Sequence, residues 1–153
     1  MFHGVLIDEL ESLRRGEMEL IGVLPMMWDS VHRPELAMLL RGFLRESYDH
    51  ATLLSEVQMS LGTTVASRRW AGLAATIEET VSLASSAHGP EAKDLALVRG
   101  MIQIKGLKIA AYNMARSLAE KLGRSQAKKL MVKILVTEME GELKLFGITH
   151  DLV

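Results

Sequence analysis

Apolar residues recur along this chain at intervals of three and four, the spacing of one face of an α-helix. Val and Ile are scattered rather than alternating, so no strand is expected. The first periodic segment runs from about Phe2 to Met27, with Leu6, Leu10, Leu13, Leu20, Leu24 and Met27 on one stripe and a bend or frayed turn expected before Pro25. A second starts near Pro34, a favoured first-turn residue, and ends before Gly62, with Leu39, Phe43, Leu54 (or Leu53), Val57 and Leu61 in line. A third follows Gly89-Pro90 and stops at Leu122-Gly123, where glycine suits the residue after a helix end. The fourth begins at Ser125, read as its N-cap, carries Met131, Leu135 and Leu145, and ends near Gly147.

Between the second and third segments lie about 28 residues, in which Ser67 to Ser86 reads as a shorter helix with Trp70, Leu73, Ile77 and Val81 (or Leu83) on one face. The remaining connections are short, near 28–33 and 122–125. Short connections join antiparallel neighbours, and a single long one lets the chain cross the bundle. The expected architecture is therefore all-α: one domain over residues 1–153, with two helical hairpins joined by a long crossover that contains a short extra helix, the wiring of a ferritin-like four-helix bundle.

The stripes are interrupted by charge. The first, 6, 10, 13, 17, 20, 24, 27, is heptad-spaced and holds Glu17. In the second, 39, 43, 46, 50, 54, 57, 61 places Glu46 and His50 four apart on one face. The third, 98, 101, 105, 108, 112, 115, contains Lys105 and Lys108, and the fourth, 131, 135, 138, 142, 145, contains Glu138 and Glu142. Glu17 lies about 10 residues before the first turn and Glu46 about 12 into the next helix; Lys108 and Glu138 flank the 123–124 turn by about 15 and 14. At ~1.5 Å per residue these heights match, so all four helices are expected to feed one polar layer. The alternative is that long Glu and Lys stems lie on flanking positions with their heads in water.

Composition narrows the classes of function. Eighteen basic and nineteen acidic side chains give a net charge of −1, which argues against a general nucleic-acid binder and offers no polybasic membrane anchor. No apolar run approaches the ~20 residues of a transmembrane helix, and the start, with Asp8 and Glu9 in place of an apolar core, is not a signal peptide. Cysteine is absent, so disulfides, thiol chemistry and thiolate ligands are excluded, which suits a cytoplasmic protein. No GxSxG, P-loop, HExxH or GxGxxG motif occurs.

The chain resembles the YciE/YciF branch of ferritin-like proteins, small bacterial proteins often associated with stress. Family members open with a phrase like EL-x6-E-x2-L-x3-LP-x-M, matched here by Glu9-Leu10, Glu17, Leu20, Leu24-Pro25 and Met27. A phrase like HLEET-x2-Q corresponds to Phe43 through His50. One like EI-ASY-x4-LAE-x-LG corresponds to Lys108-Ile109-Ala110-Ala111-Tyr112, Leu118-Ala119-Glu120 and Leu122-Gly123. In the last segment Ala127, Lys129, Leu130, Met131, Leu135, Glu138, Glu142, Lys144 and Leu145 follow more loosely.

The resemblance implies a dimetal site mapped to Glu17, Glu46 and Glu138, with Asp49 or His50 and Glu142 nearby. The departure is in the third segment: where the family has a phrase like VEHYEI, this chain reads Ile104-Lys105-Gly106-Leu107-Lys108-Ile109. A protonated ammonium is no metal ligand, but it can offset carboxylates that would otherwise repel each other in a dry core. The expectation is a non-enzymatic, stress-associated protein with no cofactor, its dimetal site lost and replaced by a lysine–carboxylate cluster of Glu17, Glu46, His50, Lys105, Lys108, Glu138 and Glu142. Two alternatives stand beside it. One is an iron or manganese carboxylate protein acting as a small oxidase or peroxide-consuming enzyme through Glu17, Glu46, Asp49, His50, Glu138 and Glu142. The other is a helical binding module whose lysines receive a small anion. Apolar residues left outside the inner stripes, such as Trp28, Met59, Trp70 and Phe146, point to a homodimer, with neither nucleic acid nor membrane as a partner.

Overall fold

The computed structural model describes residues 2–62 and 69–153. Among the described residues five helices follow one another: α1 (Phe2–Asp29), α2 (Pro34–Ser60), α3 (Ala71–Ser86), α4 (Pro90–Lys121) and α5 (Ser125–Leu152). α1 pairs with α2 and α4 with α5 as hairpins; α1 also packs on α4, and α2 meets α5 more sparsely. α3 lies in the crossover, against α4 and α1. This is the expected four-helix bundle with one extra helix. None of the described helices is long and apolar enough to cross a membrane.

The helix ends follow local chemistry. Pro34 and Pro90 each open a helix, where a missing N–H costs nothing. Gly62 and Gly123 take φ of 68° and 67° just past α2 and α4, the left-handed turn that other residues avoid. After α4 the Gly123 N–H bonds to Glu120 O and the Arg124 N–H to Ala119 O, closing the helix. α2 has no capping side chain of its own. The two amides that lead into it are met from α4: Asp94, fully buried, accepts from His32 N and Arg33 N at 2.8 Å each.

Three boundaries differ from expectation. α1 runs through Pro25 to Asp29, because Leu24 and Met27 are buried on either side and packing outweighs one lost backbone bond. Ser125 is the first helical residue of α5 rather than its cap; Arg124 holds the cap position and no side chain bonds there. α5 also continues past Gly147 to Leu152, held by buried Ile148. The expected start of the crossover helix at Ser67 lies outside the described residues, and Trp70 now occupies its cap position.

Two close approaches seat α3. A β-carbon at Gly100 on α4 would fall 2.1 Å from Thr80 Oγ1, and one at Gly16 on α1 would fall 2.7 Å from Leu73 and 2.8 Å from the Trp70 ring. Only glycine admits this spacing. The core then divides into two apolar clusters. One gathers Leu20, Leu24, Leu36, Leu40, Phe43, Met101 and Leu145; the other gathers Leu6, Leu10, Leu13, Leu54, Tyr112, Met131 and Ile134. Trp70 packs against both. What separates them, at mid-height, is charge.

Candidate functional site: a charged layer inside the bundle

The charges of the layer come from inner positions on three of the long helices, one on α1, one on α5 and two on α4. On α1 the heptad stripe delivers Glu17, 1% exposed; on α5 it delivers Glu138, 0% exposed; on α4, Lys105 and Lys108 are each 2% exposed. Lys108 Nζ stands 2.9 Å from Glu17 Oε1 and also contacts Glu138 Oε1. Lys105 Nζ donates to the other oxygen, Glu138 Oε2, at 2.5 Å. Two carboxylates and two ammoniums thus form a chain, Glu17–Lys108–Glu138–Lys105, that is formally neutral.

The remaining valences are filled by neutral groups. The Tyr112 hydroxyl donates to Glu17 Oε2 at 2.5 Å, and the Ser47 hydroxyl donates to Glu17 Oε1 at 2.9 Å. His50 Nδ1 lies 3.4 Å from Glu17 Oε2, within ion-pair range, and has no well-formed hydrogen bond among the described residues. Lys105 Nζ also sits 3.9 Å from the centre of the Phe43 ring, a cation over an aromatic face. Gly141 leaves room for it: a β-carbon there would stand 3.2 Å from Lys105 Cε.

The electrostatics follow. Burial works against an ionised Glu17, but Lys108, His50 and the Tyr112 hydroxyl together outweigh it and hold the carboxyl well below its usual range. Glu138 behaves likewise, its burial overcome by Lys108 and Lys105. For Lys108, desolvation is overcome by Glu138 and Glu17, and its ammonium is held above the usual lysine range. Lys105 goes the other way, lowered first by burial and then by Lys108 beside it. Burial, reinforced by Glu17, pushes the Tyr112 hydroxyl well above the ordinary tyrosine value, so it serves as a donor.

Not every residue expected in the layer reaches it. Glu46 is at the rim, its side chain 32% exposed, with Oε2 3.9 Å from Lys105 Nζ and no hydrogen bond. Burial raises its carboxyl above the usual range. The reason is register: α2 buries 36, 40, 43, 47, 50, 54 and 57, so Ser47 takes the inner position and Glu46 the flank. Asp49, one of the metal-ligand candidates, is exposed. Glu142 is half-buried and makes none of the cluster's contacts, because Gly141 rather than 142 faces inward. Tyr112 was visible on the inner stripe, and a buried tyrosine needs a partner for its hydroxyl. Ser47 and Gly141 carried no signal of their own, and Phe43 was legible only as an apolar member of the α2 stripe. Only the shift of the α2 stripe from Leu39 to Leu40 would have exposed Ser47.

Whether a metal fits can be asked of the donors themselves. Glu17, His50 and Glu138 each offer a ligand atom within 4.8 Å of the others. A cavity of about 360 Å³ between α2 and α5, walled by Glu46, His50, Lys133 and Thr137, opens beside them. Three donors therefore converge, but Lys108 already spans both carboxylates and is held protonated. A divalent ion would have to enter beside a buried cation, so the donor set as it stands does not fit one.

Comparison with known proteins gives a consistent result. Protein YciF of Escherichia coli K12 is 25% identical over 142 residues, spanning 92% of this chain and 86% of its own. The crystal structure of that stress protein superposes with a TM-score of 0.95 at 22% identity, covering 99% of this chain and 96% of its own. YcfI of Rhodopseudomonas palustris superposes at 0.90 with 21% identity, covering 95% and 92%. The sequence match to the domain of unknown function DUF892 runs from residue 1 to residue 153, and to that family, the family of the YciF-type helical proteins, the chain belongs.

Proposed function

We propose that this chain is a non-enzymatic, stress-associated member of its family, acting in the cytoplasm, in which a lysine–carboxylate cluster stands in place of a dimetal centre. The single observation that carries the reading is Lys108: one buried ammonium engages carboxylates from α1 and α5 at once. In that position a cation fixed to the chain performs the task of a bound metal, offsetting the charge of Glu17 and Glu138 and tying helices together. The stress association draws on the similarity to the E. coli stress protein YciF.

A second reading, an iron or manganese carboxylate protein working as a small oxidase, draws on the convergence of Glu17, His50 and Glu138. It requires Lys108 to leave or lose its proton, against the raised affinity for that proton. A module that receives an anion on the lysines is less favoured, since both spend their charge on Glu17 and Glu138. Elemental analysis of protein purified without chelators separates the readings. The proposal expects iron, manganese and zinc well below stoichiometric loading. Stoichiometric metal that survives gel filtration would overturn it and favour the oxidase.

A further inference from the structure

The cavity between α2 and α5 is where the charged layer meets solvent, and its wall has an uneven chemistry. From Glu46 to Leu53 on α2, and from Glu138 to Lys133 on α5, both helices lead away from the layer toward the cluster that holds Leu54 and Ile134, so they run antiparallel along the cavity. The floor is apolar, made by Leu53 and buried Ile134. A volume of about 360 Å³ is within the range of small-molecule sites.

The polar side chains on the wall are nearly all acceptors. Glu46 makes no hydrogen bond to a described residue, and its Oε2 is buried without one. Asp49, exposed one turn further on, pairs with no described residue. Thr52 Oγ1 gives its proton to Tyr48 O at 3.0 Å, and Thr137 Oγ1 gives its own to Lys133 O at 3.4 Å, so each hydroxyl is left as an acceptor. His50, only 4% exposed, lines the same wall. Its Nδ1 faces Glu17 at 3.4 Å; with the imidazole proton drawn to that side, Nε2 at the opposite edge of the ring is an acceptor, and no described residue bonds to it. A buried polar group of this kind calls for a partner. Against these acceptors the described wall sets one donor side chain, Lys133, exposed on its long stem.

Charge points the same way. Lys105 beside Glu46 is spent on Glu138, so two carboxylates, Glu46 and Asp49, face the single ammonium of Lys133. A bare divalent ion does not suit this wall, because its carboxylates do not converge. Among the described residues, the ligand atoms within 4.8 Å of one another belong to Glu17, His50 and Glu138, and neither Glu46 nor Asp49 joins them. An ammonium on a carbon chain does suit it. Such a group brings three N–H donors and one positive charge, and its chain can cover the apolar floor.

We propose that the α2–α5 cavity is a binding site for a small primary alkylammonium, its head held by Glu46, His50 and Thr137 with Asp49 at the mouth, and its chain laid on Leu53 and Ile134. The site uses the rim of the charged layer and leaves the contacts of Lys108 with Glu17 and Glu138 in place.

Amide chemical shifts of the full chain, titrated with n-butylammonium chloride against a sodium chloride reference, test the site. Shifts should saturate in the millimolar range expected of so small a ligand and gather on residues 46–53 and 133–137. Butan-1-ol, which lacks the charge, and tetramethylammonium, which lacks the N–H groups, should each bind at least about tenfold more weakly. Glu46→Gln should weaken butylammonium binding about tenfold, and Asp49→Asn, at an exposed position, about threefold. Lys133→Ala should bind it at least as tightly as the parent, because a like charge is removed. No saturable shift on these residues would overturn the proposal. So would tetramethylammonium binding as well as butylammonium, or γ-aminobutyrate binding more tightly through Lys133, which would assign the cavity to a zwitterion. Magnesium(II) producing the same shifts at lower concentration would overturn it too, by assigning the acidic wall to a metal ion.

Discussion

Gly141 on α5 faces the Lys105 side chain on α4 so closely that a β-carbon would stand 3.4 Å from its ammonium nitrogen. The missing side chain is what lets a lysine head lie between Phe43 and Glu138 within a packed bundle. The same β-carbon would meet Phe43 Cε1 at 2.9 Å. Gly141→Ala gains helix propensity but must move either the ring or the ammonium. We expect a net loss of about 1–2 kcal/mol by chemical denaturation. Gly22→Ala is the control: it is helical, and a β-carbon there meets nothing within 4 Å. That change should stabilise by about 0.5–1 kcal/mol. Equal effects from the two would mean that Lys105 is not confined at Gly141.

Glu46 gives the protein a pH signature of its own. A carboxyl raised by burial binds its proton more tightly in the native state, so stability rises as pH falls through its folded value toward the ordinary glutamate value. Glu17 and Glu138 are lowered, so their contribution is present above the ordinary carboxylate value and is lost as pH falls below it. Stability should therefore pass through a maximum on the mildly acidic side and then fall steeply below about pH 4.5. Glu46→Gln should remove the rise and keep the fall. Denaturant midpoints measured from pH 7 to pH 3 would show both, and a profile in which Glu46→Gln keeps the rise would assign it to another group.

Asp94 should matter more than its distance from the charged layer suggests. It holds the two amides that lead into α2, and both of its oxygens are used. Asp94→Ala leaves two N–H groups of the α1–α2 connection without an acceptor and should cost about 1–2 kcal/mol. Amide exchange at His32 and Arg33 should accelerate in the variant. Unchanged exchange at these two amides would show that solvent or another group already serves them.

The sequence carried the four long helices and their order because each is amphipathic over many turns, and glycine and proline mark their ends. It also carried Glu17, Lys105, Lys108 and Glu138, since a charge at the centre of a long heptad stripe has few places to go. What it hid depended on rotation about a helix axis. A shift of one residue in α2 exchanged Glu46 for Ser47, and one in α5 exchanged Glu142 for Gly141. Apolar residues on both sides of the α2 stripe, Leu39 and Leu40 among them, gave two registers of similar hydrophobicity. The choice between them is made by packing against α1 and α5, which no local pattern records. Trp28 and Trp70, which suggested an interface by lying outside the inner stripes, make contacts within the chain: Trp70 packs against both core clusters, and Trp28 lies beneath Arg41.

Reversing the lysines should recover a metal site. With Lys105→Glu and Lys108→Glu together, four carboxylates and His50 would face one another without a cation. The variant should be destabilised in the absence of metal, and manganese(II) should raise its melting temperature by several degrees through preferential binding to the folded state. The parent chain should show no such shift. A variant that melts at the same temperature with and without metal would mean that lysine is not the only barrier to binding.

The central claim is that Lys108 neutralises buried carboxylates, and Lys108→Met tests it most directly, since methionine keeps most of the stem and deletes the charge. Glu17 and Glu138 would then lose their shared partner. The account predicts a loss of about 3–5 kcal/mol at neutral pH, the cost of leaving a buried charge unpaired. It also predicts partial recovery on acidification toward pH 5, because a carboxyl freed from Lys108 and raised by burial takes up a proton in the folded state. Denaturant midpoints at pH 7 and pH 5 decide the matter. A variant that unfolds at the same midpoint as the parent at both pH values would contradict the account, since Lys108 would then neutralise nothing that the fold depends on.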